Sequence, residues 1–407
     1  MTASIRIASS PGEAQVAVVE DNRLLDFSLW RPGAPDGVGD VHRGRVIALA
    51  PAMAGAFVAL ADAEGFLPDS EGARGITAGT ILTVRITRAA QGSKGPRLTA
   101  HVDETRTSGP VALLRRGPDP ITRLAARYPQ APIVVDDAAV IASLRPGPGV
   151  SAAEPEFVMN RTVLVQSGTV LDEDVAEAID ALSRPVVELL GGARLSIWPT
   201  PALVAIDVDA GGALGSGSRG AQVRHEALNR AVVPVVAEQI RLRNLSGGIV
   251  VDLAGLSPRK RAALAPDFIA ALANDSLNPK FLGFTALGLA EIVRSRVHPP
   301  LHELLAGPLA AGLAALRAVI GAFNRDPRAM PAIRAHPSVV SALQADPAAL
   351  PDLVRRTGRE VTLRSDPALP TTAWVLESTL EHAEQALDRA RGNSILATSL
   401  RGGSNTT

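Results

Sequence analysis

Two apolar, strand-like runs in this chain end in aspartate. Asp207 lies in Leu203-Val-Ala-Ile-Asp-Val-Asp209, and Asp252 lies in Gly248-Ile-Val-Val-Asp-Leu253. A carboxylate in such a setting is costly unless it is paired, hydrogen-bonded or bound to a metal. Ligand sites of open α/β sheets gather at the carboxyl ends of strands. Alternation of side chains puts Asp207 and Asp209 on one strand face. Carboxylates meeting at one rim would form an oxygen-only site, which suits magnesium, and such an ion can act on a phosphodiester. Each Asp could instead cap the turn that follows it, and spacing alone leaves both readings open. The Gly211–Gly220 loop could form a phosphate-binding nest or be a plain flexible connection.

A second group of residues lies nearer the N-terminus. His42, Arg43, Arg45, Arg85, Arg88, Lys94 and Arg97 fall in one segment with Phe57 and Phe66. Small barrels bind single strands by stacking bases on aromatic rings beside a cationic groove. The charges could equally be a solvated face. Phe57 could be barrel core, whereas Phe66, beside Gly65 and Leu67-Pro68, reads as exposed at a loop.

The elements that must position these residues can be read from the pattern. Residues 4–30 read as two or three strands. Short strands at Gly44–Leu49, Gly55–Leu60, Glu64–Leu67, Ile81–Thr87 and Arg97–Ala100 suggest a barrel of the OB type. Residues 103–160 are broken by Pro and Gly, with one buried-type strand at Ile133–Val135. Beyond 171 the pattern predicts a helix over 172–182 and a hairpin of 193–197 with 202–208. A long helix over 223–242 should kink at Pro234, and a strand at 249–253 follows. Ser257-Pro258 opens a helix to Leu272. A strand at 281–285 and a helix over 287–297 complete an α/β layer domain. Helices at 301–325 and 337–345, with strands at 360–363 and 372–376, predict a small α+β domain. The tail Arg401–Thr407 should be disordered.

Composition sets outer limits. The 407 residues hold 41 Lys plus Arg against 41 Asp plus Glu, so any nucleic-acid site must be a local cluster of charge. The chain has no Cys, which excludes disulfides, Cys-type zinc sites and thiol catalysis. No signal peptide and no 18-residue apolar span free of charge and Pro is seen. A cytoplasmic protein without a membrane partner is expected.

In this order, the segments resemble the ribonuclease E/G family. The barrel strings are Gly44-Arg-Val, Gly55-Ala-Phe-Val, Gly65-Phe-Leu-Pro68 and Gly92-Ser-Lys-Gly-Pro-Arg-Leu-Thr99. More specific are Thr200-Pro-Ala-Leu-Val-Ala-Ile-Asp-Val-Asp209, Gln239-Ile-Arg-Leu-Arg-Asn-Leu245, Gly247-Gly-Ile-Val-Val-Asp252 and Leu287-Gly-Leu-Ala-Glu-Ile-Val-Arg-Ser-Arg296. The resemblance covers nearly the whole chain. It implies a ribonuclease-H-like layer at 1–38 plus 132–182, interrupted by an OB-fold RNA-binding barrel at 39–105 and a shortened sensor segment at 106–131. A deoxyribonuclease-I-like catalytic domain at 183–302, a small α+β domain at 303–385 and a tail at 386–407 would follow. It further implies that Asp207 and Asp252 hold a magnesium ion and that Asp209 acts beside them, where the family usually has Asn. Phe57, Phe66 and Lys94, with Arg43, Arg45 and Arg97, would contact single-stranded RNA.

Departures from the family pattern bear on function. Without Cys the family's zinc link is missing, so neither zinc nor a zinc-linked dimer is expected; another homo-oligomer remains open. The segment that senses a 5′-monophosphate is shortened, and Arg106-Thr107 lie outside the sensing context. Ala231 and Gly255 stand where the family carries acidic residues. The expectation is a magnesium-dependent endoribonuclease that leaves 5′-phosphate and 3′-hydroxyl ends, in RNA processing or decay. A non-catalytic or weakly active RNA-binding protein on the same scaffold is the alternative. A phosphatase or DNA nuclease would leave the barrel unexplained.

Overall fold

Parallel neighbouring strands need a crossover, usually a helix, and the segment between the two Asp-bearing strands supplies one. In the computed structural model, strands Val204–Asp209 and Gly247–Asp252 pair in parallel, and helix Ala221–Leu242 lies between them in sequence. The structure describes residues 3–92, 94–103, 108–143, 158, 161–164, 169–211, 221–329 and 331–378. The Gly211–Gly220 loop beyond Gly211, Arg106-Thr107 and the tail lie outside the described residues.

The protein is mixed α/β, with several sheets and one closed barrel. A five-stranded sheet runs in the order 162–164, 133–135, 4–10, 13–20, 23–30. The barrel is closed by strand Val41–Ala50, which pairs with both Gly55–Ala59 and Ile81–Arg88; Glu64–Pro68 and Arg97–Thr99 complete the ring of five. Strand Ala112–Arg115 adds to the outside edge of Val41–Ala50. The Asp-bearing sheet has the order 186–188, 194–199, 204–209, 247–252, 290–294, 280–284.

The chain divides into two compact units. The first holds the five-stranded sheet, the barrel and the Asp-bearing sheet. The second holds 305 onward together with 10–13 and 31–34. It has a three-stranded sheet of 331–335, 362–365 and 374–378, helices at 307–325, 337–345 and 349–357, and its own core around Leu313, Leu316, Ile333 and Leu353. Helix Gly307–Arg325 is long and apolar enough to cross a membrane by length and composition. Its Leu313, Leu316 and Val319 are buried in that core.

Several expected elements differ. The helix expected over 287–297 is a strand, Ala290–Arg294. Ala290, Ile292 and Arg294 are buried while Glu291 and Val293 are not, a period of two that marks a strand. Arg294 is buried because it ion-pairs with Asp275 at 2.7 Å and donates to Asn244 Oδ1 and Leu245 O. The helix expected over 257–272 is two, Pro258–Ala262 and Ala265–Leu272. Pro266 cannot donate to a continuing helix, and it opens the second piece. The span 301–325 breaks at Gly307, which takes φ +89°. Helix Ala221–Leu242, with Pro234 in its interior, begins two residues before the expected 223. Strand Pro331–Ala335 and helix Ala349–Thr357 were not expected.

Candidate active site

The Asp-bearing sheet has one covered face. Val204, Ile206, Val208, Ile249 and Val251 point into a core formed with Val232, Val233, Val236 and Ile240 of the long helix, and with Phe268. Alternation then sends Asp207, Asp209 and Asp252 to the other face, where all three are exposed. Asp207 and Asp252 are direct register partners across the parallel pair. Neighbouring strands lie about 4.8 Å apart, so the two carboxylates stand side by side. Asp252 ends its strand, but Asp207 stands two residues before the end of its own, on the open sheet face as well as near the rim.

The three aspartates differ in their partners. Asp209 Oδ1 accepts from Gly211 N at 2.9 Å, so this residue caps the following turn. Asp252 Oδ1 accepts from Arg261 Nη1 at 3.2 Å. No cation is bonded to Asp207 among the described residues. Its pKa is raised above the usual carboxylate value, by partial burial first and then by the negative charges of Asp252 and Asp209. That is the electrostatic mark of carboxylates gathered without enough positive charge between them.

Around the pair, buried polar groups fix the loops. Asn229 on the long helix is fully buried. Its Nδ2 donates to His225 O and Ala254 O, and its Oδ1 accepts from Ala254 N. The helix is thereby tied to the backbone two residues past Asp252. Gly255 follows with φ +58°, and a Cβ there would lie 2.5 Å from the His225 ring. An aspartate at 255 would therefore need both a strained backbone and a displaced His225. Two arginines in the strings around the Asp-bearing sheet serve the scaffold. Arg243 is buried, donates to Gln239 Oε1, Arg184 O and Ala181 O, and has its pKa pushed down to about 10 by burial. Arg296 is bound to Glu303 through both Nη atoms.

The barrel carries a second candidate surface. Register partners run in a row across four strands: Arg88 opposite Arg97, Arg97 opposite Phe66, and Phe66 opposite Phe57. Register partners share a face, so two guanidiniums and two rings line up. The rings meet edge to face at 5.6 Å. Both are half-buried and stand outside the barrel core of Val46, Val58, Leu67, Val84 and Leu98. Gly55 makes this packing feasible, since a Cβ there would lie 2.5 Å from the Phe66 ring. Lys94 is exposed and pairs with Gln91 at the tip between two strands. Arg45 is exposed. Arg43 is apart from this row: its Nε donates to Pro110 O at 2.6 Å, which ties the barrel to the following segment.

At the junction after the Asp-bearing sheet, His298 Nδ1 meets Asp36 Oδ2 at 2.6 Å. Burial, the largest cause, would raise the Asp36 pKa, but the His298 bond and charge together with the Arg123 charge and the Val38 N–H override it, and the net shift is downward. Among the described residues, no group of three or more His, Asp or Glu could hold a metal ion. The Asp207–Asp252 pair is thus a two-carboxylate site.

Arg261 and Asn229 are the site residues that motif reading passed over. The basic run Arg259-Lys-Arg261, one turn past an Asp-ended strand, was the available signal for Arg261. Asn229 had none, because its role depends on a contact 25 residues away.

Fold and site together define a mixed α/β protein that pairs an OB-like barrel with a two-carboxylate sheet face. The Ribonuclease E/G family model matches residues 103–297. The similarity to Ribonuclease E of Escherichia coli is 24% identity over 396 residues, 73% of this chain and 37% of that protein. Ribonuclease E of Nostoc sp. is 36% identical over 130 residues, 31% of this chain and 18% of that protein. A chloroplastic Ribonuclease E/G-like protein of Arabidopsis thaliana is 32% identical over 153 residues, 37% of this chain and 15% of its own. The chain spans well under half the length of these relatives.

Proposed function

We propose that the protein is a magnesium-dependent endoribonuclease that cuts single-stranded RNA, leaving 5′-phosphate and 3′-hydroxyl ends, in RNA processing or decay. The observation that carries this reading is the register of Asp207 with Asp252 on adjacent parallel strands, with no cation bonded to Asp207 among the described residues. The match of residues 103–297 to the Ribonuclease E/G family model and the ribonuclease names of the relatives support it.

The donor set fits the ion. Magnesium is usually held by one or two carboxylates, with waters and substrate phosphates completing its shell. A two-carboxylate site on an open face leaves room for them. When bound, the ion would polarise a phosphoryl oxygen and lower the pKa of a water. Asp207 and Asp252 would hold it. Asp209, with Oδ1 committed to Gly211 N, orients the turn beyond the pair and has only Oδ2 free for the reacting groups. The Phe57–Phe66–Arg97–Arg88 row would hold the strand, with rings for bases and guanidiniums for phosphates. Lys94 and Arg45 would add to that charge.

A labelled single-stranded RNA oligonucleotide incubated with magnesium or with EDTA tests the reading. Internal cuts with 5′-phosphate ends, present with magnesium and absent with EDTA, are expected. RNA binding with no cleavage in either condition would favour the alternative, an RNA-binding protein without catalysis. Gly255, in place of an acidic residue, is the feature that points that way.

A further inference from the structure

Asp252 is not a bare carboxylate. Arg261 reaches it at 3.2 Å through Nη1, and the same Nη1 donates to Gly288 O at 2.6 Å. Arg261 Nε donates to Leu256 O at 2.9 Å. One carbonyl comes from the loop after Asp252 and the other from the turn before strand Ala290–Arg294, so the guanidinium is pinned from two sides. Its side chain is only 15% exposed, against 52% for Asp252. A pinned guanidinium differs from a surface arginine, which would swing away into water.

We propose that Arg261 is a positioning residue and internal counter-charge of the carboxylate pair. It fixes Asp252 through Oδ1, leaves Oδ2 free, and makes the pair bind a divalent cation less tightly than two bare aspartates would. The proposal rests on the reading of Asp207 and Asp252 as metal ligands. A guanidinium stays charged at any working pH, and it repels a second cation a few ångströms away. The pair would then depend on substrate phosphates to complete a stable complex, so cation and RNA would bind cooperatively.

Manganese binding to the full chain without RNA, followed by the electron paramagnetic resonance of the free ion, tests this, with cleavage at saturating metal measured in parallel. Arg261→Gln removes the charge and the fork. It should bind manganese about tenfold more tightly, about 1.4 kcal/mol, yet cleave at least about tenfold more slowly, because Asp252 is no longer held. Arg261→Lys keeps the charge without the fork. It should bind manganese within about twofold of the parent and still cleave slowly. Equal or weaker manganese binding by Arg261→Gln overturns the counter-charge role. Should that variant not fold, an Arg261→Lys protein that cleaves like the parent overturns the positioning role. A parent that binds no manganese overturns the metal-pair reading and this proposal with it, whereas parental binding with an unchanged Arg261→Gln defeats only the proposal.

Discussion

Asp209 and Asp252 each commit one oxygen to the protein itself, to Gly211 N and to Arg261, while Asp207 commits none among the described residues. This asymmetry makes Asp207 the carboxylate most in need of a cation. The sequence marked Asp207 and Asp252 as anomalous, because a carboxylate closing an apolar run is conspicuous by itself, and put Asp209 on the same face as Asp207. It could not separate the turn-capping role of Asp209 from the paired roles of the other two, since that depends on which backbone donor lies nearby. Asn229 was illegible for a related reason: a buried carboxamide looks like any helix residue until its partners are known. Removing it should cost stability more than chemistry. Asn229→Ala leaves Ala254 N and Ala254 O without partners, and an unsatisfied buried group costs about 1–3 kcal/mol. Urea unfolding should show a loss of about 2 kcal/mol or more. A loss under about 0.5 kcal/mol would mean that the loop past Asp252 is held by other contacts.

The barrel was legible because its strands are short, evenly spaced and separated by glycine turns. What could not be read was which side chains face outward together. Phe57 reads as core from Ala56-Phe-Val, yet its register with Phe66 brings both rings out beside Arg97. Stacking on such rings contributes about 1–3 kcal/mol per base. Phe66→Ala should therefore weaken binding of a single-stranded RNA by roughly tenfold in a filter or polarisation assay, with an unchanged melting temperature. A variant that binds like the parent would reduce these rings to packing. The same barrel contains a built-in acid sensitivity. His42 is buried with neither ring nitrogen hydrogen-bonded among the described residues, and burial is the first cause of its lowered pKa, against the raising effect of Asp40. The unfolded chain then binds the proton more readily than the folded one. Stability is fully present above the unfolded value of 6.5 and is lost as pH falls from there through the lower folded value. Thermal unfolding of the parent should drop across that window more than that of His42→Phe. Parallel pH profiles for the two would remove His42 from the account. The strand at Ala290–Arg294 was misread as a helix because Leu287-Gly-Leu-Ala-Glu-Ile-Val-Arg mixes helix formers with an apolar pattern that suits either period. The buried Arg294–Asp275 pair, which holds the strand in place, is invisible without the fold.

For the molecule as a whole, a net charge of zero means that no long-range field draws in RNA. On the proposed reading, RNA is bound by the local row of cations and rings, and its affinity should fall with salt as phosphate contacts release counterions. The segment between the barrel and strand Ile133–Val135, which the resemblance implies is a shortened sensor, bears on the proposed substrate choice. Its described part holds the edge strand Ala112–Arg115, which pairs with the barrel, and the helix Pro120–Arg127, whose Ile121 and Leu124 are buried in the core of the five-stranded sheet. These elements are engaged in packing. A 5′-phosphate on the RNA should therefore change the cleavage rate by less than about tenfold, or 1.4 kcal/mol, in a comparison of 5′-phosphate and 5′-hydroxyl substrates. A larger advantage for the phosphate would show that a 5′-end site exists after all.

The paired carboxylates are tested most directly by cleavage of one labelled single-stranded RNA, in saturating magnesium, by the parent, Asp207→Asn and Asp252→Asn, with RNA affinity measured alongside. Loss of a group that merely supports a metal ligand costs about 10–100-fold, so loss of a ligand should exceed that. Both variants should bind RNA within about twofold of the parent and cleave it more than about a hundredfold more slowly. Cleavage by both at the parental rate would contradict the assignment of Asp207 and Asp252 as the metal-holding pair.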